Sequence, residues 1–284
     1  HKDNYGVLEV GMDKKGEIDF LSKIIEPDIS VITNINYAHA KNFKNIKQIA
    51  LAKAEIISNT KSNGYVVLNA DDNFFKLHQK IALKKNLNLI SFGIKNRKSD
   101  IKLININKKN RLFKVLIKIN NSKKYFLISN NFQNNIYNIL AALSVISINI
   151  DISKLKSDIF LNFKTPIGRG DLIKLKIDKK NINLIDESYN SNPLSLESAI
   201  LNYDKIDKKD SKKYLLIGDM LELGSHSKKL HQSIAPIINH TKIDKVFVKG
   251  KNVVFIFNKL SKHKKGRILY NNSQIIELIK NDLN

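Results

Sequence analysis

Apolar and polar residues alternate along most of this chain with two periods, and the periods take turns. YGVLEVGM reads as a strand, IDFLSKII as an amphipathic helix, and DISVITNI as a second strand. KNIKQIALAKAEIISN then carries helical spacing, and NGYVVLNADD returns to a strand. This alternation predicts a parallel sheet with helical crossovers. Between Asp100 and Ser129 the rhythm changes to three strands separated by the turn-like NKKN and NNSKK, which predicts a small antiparallel insertion. A long helix follows in QNNIYNILAALSVISI, and a short one near SKLKSDIFLNF.

At TPIGRGD, Thr165 to Asp171, one Pro and two Gly surround a single Arg, a pattern suited to an interdomain hinge. Beyond it NINLID, KYLLIGDM, KVFVKG and RILYNN read as strands, each with a helix after it, so a second, smaller doubly wound domain is expected. The predicted fold class is α/β. A mostly parallel domain spans residues 1–166 and a Rossmann-like domain spans 167–284.

Composition narrows the class further. The chain has 284 residues, 42% hydrophobic and 26% charged, enough apolar mass for two cores. No apolar run approaches the roughly 18 residues of a membrane span. No signal peptide opens the chain, and the absence of Cys excludes disulfide and thiolate chemistry. A cytoplasmic monomer is the expectation. The formal charge of +23 would suit nucleic acid. The lysines, however, are spread through an Asn- and Ile-rich sequence rather than gathered on one face among aromatics, so no nucleic-acid partner is expected and the charge favours small anionic metabolites. The chain starts at His1, close before a run that reads as a core strand, which predicts that it is a piece of something longer.

In open α/β sheets ligands sit at the carboxyl ends of strands. Those positions hold Glu9 and Gly11, then Asn34, Asn36 and His39, and in the second half Asp186 to Asn192 and Gly218 to Gly224. The helix Ile46 to Ile57 contains one anomaly. Its spacing puts Lys53 on the same stripe as Ile46, Ile49, Ala50, Ile56 and Ile57. A snorkelling lysine would satisfy that stripe, while a buried ammonium needs a partner or a modification. Glu9 in an apolar strand end is a candidate oxygen ligand for Mg²⁺. His39 alone is more often a structural loop histidine than a metal ligand, and only its convergence with Glu9 and Lys53 on one sheet edge favours a ligand. Asn134, Asn135 and Asn138 either cap the following helix or contact a ligand. Arg169, a planar and permanently charged fork between two glycines, suits a phosphate clamp.

DESYNSNP, GDMLELG, LEVGMDKKGEI, and TNINYAHAKNF followed by ALAKAEII together resemble the Mur ligases of peptidoglycan synthesis, and the likeness runs along the whole chain. DESYNSNP and GDMLELG are most similar to the member that adds D-Ala-D-Ala to UDP-MurNAc-tripeptide. Sister ligases that add single amino acids, and folylpolyglutamate synthases, differ at Ser188-Tyr189-Asn190. The resemblance implies a central ATPase domain and a C-terminal Rossmann-like domain. It also implies ATP-driven amide formation, in which the tripeptide carboxylate becomes an acyl phosphate attacked by the D-Ala-D-Ala amine. It assigns Glu9 and His39 to magnesium and Lys53 to a lysine carried carbamylated. Asn135 and Asn138 would lie near adenine, Arg169 at the ATP phosphates, and Asp186 at the nucleotide. Tyr189, Asn190 and Asn192 are candidates for substrate contact. His39, Lys53 and Arg169 would be the catalytic set.

Two departures stand out. The family's phosphate loop, Gly-x-x-x-x-Gly-Lys-Ser/Thr, occurs nowhere in the chain, and the N-terminal UDP-sugar domain is missing. These 284 residues alone are therefore expected not to turn over ATP. FQNN, Phe132 to Asn135, stands where the family has Gly-x-His-Asn, so Asn134 replaces a histidine. Another ligase of the superfamily, such as a folylpolyglutamate synthase, or a non-catalytic basic remnant are the competing readings.

Overall fold

The computed structural model describes residues 4–37, 40–110, 112–129, 135–163, 166–177, 180–206 and 211–282. Two compact units emerge: residues 1–35 with 42–164, and residues 36–41 with 165–284.

The first unit is built on a six-stranded sheet in the order β1 (Ile29–Ile32), β2 (Tyr65–Asn69), β3 (Asn88–Gly93), β4 (Ile101–Lys109), β5 (Leu112–Ile119) and β6 (Ser122–Ser129). Neighbours β1 to β4 run parallel, and β4 to β6 form an antiparallel meander. The expected insertion is thus real but continuous with the main sheet, joined through Phe92–Ile101 and Gly93–Lys102. Strand β5 alternates buried Phe113, Val115, Ile117 and Ile119 with lysines and leucines, as a one-sided sheet requires.

The helices of this unit are α1 (Glu17–Ile25), α2 (Ile46–Lys53), α3 (Glu55–Ser58), α4 (Phe75–Lys84) and α5 (Ile136–Asn149). Helix α5 lays Ile136, Ile139, Leu140 and Leu143 against Val67, Phe92, Ile117 and Phe126, and this cluster is the unit's main core. Each such side chain removed from water contributes about 1.5–3 kcal/mol before entropy is charged against it.

Three expectations are corrected. The run Tyr5 to Met12 is not a strand: Val7 is 96% exposed and Leu8 65%. An apolar alternation becomes a strand only beside a partner, and these residues do not join the free edge of β1, whose one described neighbour is β2. The helix read from Ile46 to Ile57 breaks into α2 and α3 at Ala54, where the Glu55 carboxylate turns to accept the N–H groups of Gly16 (3.1 Å) and Asp19 (3.0 Å). The short helix near SKLKSDIFLNF reduces to a 3₁₀ turn, Ile152–Lys154, capped by Asp151.

The second unit holds a parallel three-stranded sheet, ordered β11 (Lys265–Ile268), β10 (Lys245–Lys249), β9 (Tyr214–Gly218), after the hairpin β7 (Asp171–Ile177) with β8 (Lys180–Asp186). Its helices are α6 (Pro193–Asp204), α7 (Ser227–Asn239), α8 (Val254–Lys259) and α9 (Asn272–Glu277). Helices α7 and α8 cross between successive strands, as expected of a Rossmann-like domain. NINLID, expected among the parallel strands, instead pairs antiparallel with DLIKLKI through Asp171–Asp186 to Ile177–Lys180. Both runs alternate and they are consecutive, so hairpin closure costs little chain entropy. Among the described residues no helix is long and apolar enough to cross a membrane.

Candidate functional site

In the first unit the carboxyl ends of β1 and β2 are knitted together by side chains. The Asn69 amide donates to the Thr33 carbonyl at 3.1 Å. Asp72 accepts the Ile35 N–H on one oxygen (2.8 Å) and the Phe74 N–H on the other (2.7 Å). Its neighbour Asp71 accepts N–H groups from Ile94, Lys95 and Asn96 and the hydroxyl of Tyr137, which ties β3 and the first turn of α5 to the same edge. Burial works against the Asp71 carboxylate, but these four donors outweigh it and its pKa lies below the ordinary value.

Lys53 ends α2 at this edge, half-buried. Burial pushes its pKa down, while the charges of Asp72 and Glu9 pull in the opposite direction without restoring it. The lysine that broke the apolar stripe is therefore an ammonium short of solvation with two carboxylates in electrostatic reach. His78 lies buried beneath the same helix, its Nε2 3.0 Å from the Ala50 carbonyl. Burial lowers its pKa, its bond to Ala50 and the charge of Asp72 oppose this, and Lys53 adds to the lowering.

Glu9 is exposed on its extended segment. His39 and Asn134 lie outside the described residues. Asn135 occupies the N-cap of α5 without making a capping bond, and it accepts instead from the Asn138 amide at 2.9 Å. Among the described residues no three His, Cys, Asp or Glu side chains converge as a metal cluster. Glu9 and Asp72 lie in electrostatic reach of the Lys53 nitrogen. That set is acidic enough for a hard divalent cation only when Lys53 carries no ammonium charge.

In the second unit the hinge sequence folds against the end of β8. Gly170 donates to the Asp186 carbonyl (2.8 Å), Tyr189 donates to the Gly168 carbonyl (3.2 Å), and the Gly168 N–H is held by the Asp171 carboxylate (2.8 Å). Gly168 has φ +77°, and a Cβ there would lie 3.0 Å from the Tyr189 nitrogen, so this close approach requires glycine. The result is a stack: the Arg169 guanidinium carbon sits 4.5 Å above the Tyr189 ring. Both side chains are exposed, Tyr189 by 66%. Asp186 turns one oxygen to the Ser188 N–H at 2.9 Å, and Asn190 is exposed.

Asn192 caps α6 in a reciprocal capping box with Ser195, each bond 3.0 Å, and its oxygen also accepts from Asn36. That oxygen is fully used in holding the helix start. The GDMLELG loop is similarly engaged. Asp219 accepts the N–H groups of Lys251, Asn252 and Val253 before α8. Met220 donates to His231 Nε2, whose other nitrogen faces the Ser227 carbonyl.

Among the described residues three groups of expected ones come together: Lys53 with Glu9, Asn135 with Asn138, and Arg169 with Asp186 and Tyr189, while Asn190 is exposed and Asn192 serves the α6 cap. Sequence reasoning passed over Asp71, Asp72, Tyr137 and His78. The signal for the two aspartates was present, since NADD follows a strand directly and strand ends are where ligand chemistry gathers.

Residues 1–146 match the family model of the Mur ligase middle domain, and residues 168–283 match that of the Mur ligase, glutamate ligase domain. A curated relative, the UDP-N-acetylmuramoyl-tripeptide–D-alanyl-D-alanine ligase of Buchnera aphidicola, is 34% identical over 98% of this chain and 59% of its own length. The structure of MurF ligase from Thermotoga maritima in complex with ADP aligns with TM-score 0.78 at 25% identity, covering 98% of this chain and 62% of that one. MurF from Acinetobacter baumannii shares the fold, with TM-score 0.81 at 22% identity over 95% of this chain and 56% of its own. The chain therefore spans a little over half the length of the relatives it matches.

Proposed function

The chain belongs to the Mur ligase family, and on that premise we propose that it forms the middle and C-terminal parts of an ATP-dependent ligase joining D-Ala-D-Ala to UDP-MurNAc-tripeptide. The observation that carries this reading is Lys53: a half-buried lysine with a depressed pKa, in electrostatic reach of Asp72 and Glu9, at the carboxyl edge of a parallel sheet. The similarity to D-alanyl-D-alanine-adding ligases supplies the substrate class.

In this reading Glu9, His39 and Lys53, once carbamylated, would hold Mg²⁺, which would supply charge neutralisation for the phosphates. Asp72 holds the loop beside Lys53, and His78 supports the Ala50 turn beneath it. Asn135 and Asn138 present amides to the adenine edge. Asn134, in place of a histidine, provides an amide there as well. Arg169 meets the transferring phosphate with a charge that never titrates, and its stack on Tyr189 lowers the entropy lost on clamping. Asp186 is assigned to the nucleotide, and Tyr189, Asn190 and Asn192 to the incoming dipeptide. Because Asn192 is committed to capping α6, it acts by positioning the loop. The dipeptide nitrogen bonds to the activated carbonyl carbon, phosphate departs with the C–O electron pair, and the amine gives up a proton. We place the reaction in the cytoplasm.

The site assignment is tested by ¹³C NMR of the 284-residue chain in ¹³C-bicarbonate. A carbamate resonance that disappears in Lys53→Arg and broadens with Mn²⁺ is expected. No such resonance from pH 7 to 9, with folding intact, would remove Lys53 from the metal site.

A further inference from the structure

Lysines that look evenly spread along the chain are gathered on one surface by strand pairing. Residues 101–150 carry seven lysines and one arginine and no Asp or Glu. One face of the antiparallel meander β4 to β6 belongs to the core, where Phe113, Val115, Ile117, Phe126 and Ile128 pack with α5. The opposite face is built from the alternate residues. On β5 these are Leu112, Lys114, Leu116 and Lys118. The pairing sets Lys102 opposite Lys118 and Lys118 opposite Lys123, so three lysines stand in one cross-strand row. The register shifts between Leu103 and Asn105, which keeps Asn105, Asn107 and Lys109 on the same side as Lys102.

Like charges directly opposite one another destabilise a sheet. Among the described residues Lys102, Lys118 and Lys123 make no ion pair and no side-chain hydrogen bond. The acids that border the meander in sequence are engaged elsewhere. Asp100 accepts the N–H and the hydroxyl of Ser91 on one oxygen, and Asp151 accepts the Ser153 N–H. Arg111 and residues 130–134, which also border these strands in sequence, add no acid. Between the cations lie half-buried Leu112, Leu116 and Leu127, and Tyr125, 45% exposed. With strands about 4.8 Å apart and a rise of about 3.3 Å per residue, the face spans about 10 by 20 Å.

We propose that this face docks the chain on an anionic lipid bilayer, through residues distinct from those of the proposed ligase chemistry. Lysines interleaved with leucines and a tyrosine suit the headgroup layer, where ammonium groups meet phosphates and apolar side chains reach the acyl boundary. A single-stranded nucleic acid would need open aromatic faces for its bases. The one tyrosine here is instead covered by the Lys114 ammonium, 3.9 Å from its ring centroid.

The 284-residue chain is mixed with vesicles of phosphatidylcholine containing about one third phosphatidylglycerol, at about 0.15 M salt, where attraction between exposed charges is screened beyond about 8 Å. Flotation with these vesicles, and none with pure phosphatidylcholine, is expected. Lys102→Gln/Lys118→Gln/Lys123→Gln should bind about a hundredfold more weakly, at roughly fivefold per lysine. Relief of the cross-strand repulsion should also raise its melting temperature without lipid, which separates lost binding from lost folding. Lys118→Gln alone, at the centre of the row, repeats the comparison at about fivefold. Lys76→Gln/Lys80→Gln/Lys84→Gln removes the same charge from exposed positions of α4 and should float like wild type. No flotation with anionic vesicles, wild-type flotation of the row variants, or equal loss in the α4 variant would overturn the assignment. So would a single-stranded oligonucleotide that binds through the same three lysines and strips the protein from the vesicles, which would name nucleic acid as the partner.

Discussion

Asp71 holds together the edge on which the first unit's chemistry sits, and its removal has a calculable cost. One oxygen accepts Ile94 N–H (2.6 Å), Lys95 N–H (2.9 Å) and the Tyr137 hydroxyl (2.9 Å), and the other accepts Asn96 N–H (2.7 Å). Hydrogen bonds to a charged group contribute about 1.5–3 kcal/mol each when buried. The carboxylate is only partly buried, so about half of that is appropriate. Asp71→Ala, which loses all four, should cost the first unit about 3–6 kcal/mol. Asp71→Asn keeps one acceptor oxygen and aims an NH₂ group at a backbone donor, for about 1.5–3 kcal/mol. The folded carboxyl titrates below its ordinary value. Its contribution is therefore complete above the unfolded pKa and drains away as pH falls through the folded one. Urea unfolding followed by circular dichroism, with hydrogen exchange at Ile94 to Asn96 and the first turn of α5, reads both effects locally. A loss below about 1 kcal/mol in Asp71→Ala, with exchange protection unchanged, would refute the reasoning.

Other substitutions follow from single contacts. Asn192→Ala removes the capping box of α6 and should lower the second unit's stability by about 1 kcal/mol in thermal melts, with Asn192→Asp recovering most of it. Lys213→Met strips the donor from three carbonyls at the end of α6 and just beyond it and should cost about 2 kcal/mol, a sign that a gain in melting temperature would contradict. Lys53 behaves oppositely to a partnered lysine. With its folded pKa below the ordinary 10.5, the unfolded chain binds the extra proton, so stability rises as pH increases through that window. Lys53→Met should flatten the rise and be at least as stable as wild type at pH 7.

The architecture was legible wherever local periodicity and global pairing agree. Strands β1 and β2 and β9 to β11 follow from alternation and crossover logic alone, whereas α4 and β3 were passed over. Pairing partners were harder. NINLID has the same pattern whether it joins a parallel sheet or closes a hairpin, and only the overlooked alternation of DLIKLKI decides for β8 with β7. Tyr5 to Val10 has a strand's composition, yet composition cannot supply a neighbouring ladder. In the candidate site, Lys53 was visible because a cation interrupts an apolar stripe. The Arg169–Tyr189 stack was not, since it depends on Gly168 bringing two distant backbones together. Asp72 escaped because an aspartate after a strand usually reads as turn chemistry, and only folding shows its carboxylate beside a desolvated lysine.

Acceptor choice is the property on which the ligase reading stands or falls. The most direct measurement replaces the matching segment of the Buchnera aphidicola relative with residues 1–284 of this chain. The joined protein is then given ATP, Mg²⁺ and UDP-MurNAc-tripeptide with D-Ala-D-Ala, D-glutamate or L-glutamate in turn. Phosphate release that depends on D-Ala-D-Ala, with a product heavier by that dipeptide less water, is predicted. A folded, ATP-hydrolysing protein that joins a single amino acid and ignores D-Ala-D-Ala would contradict it.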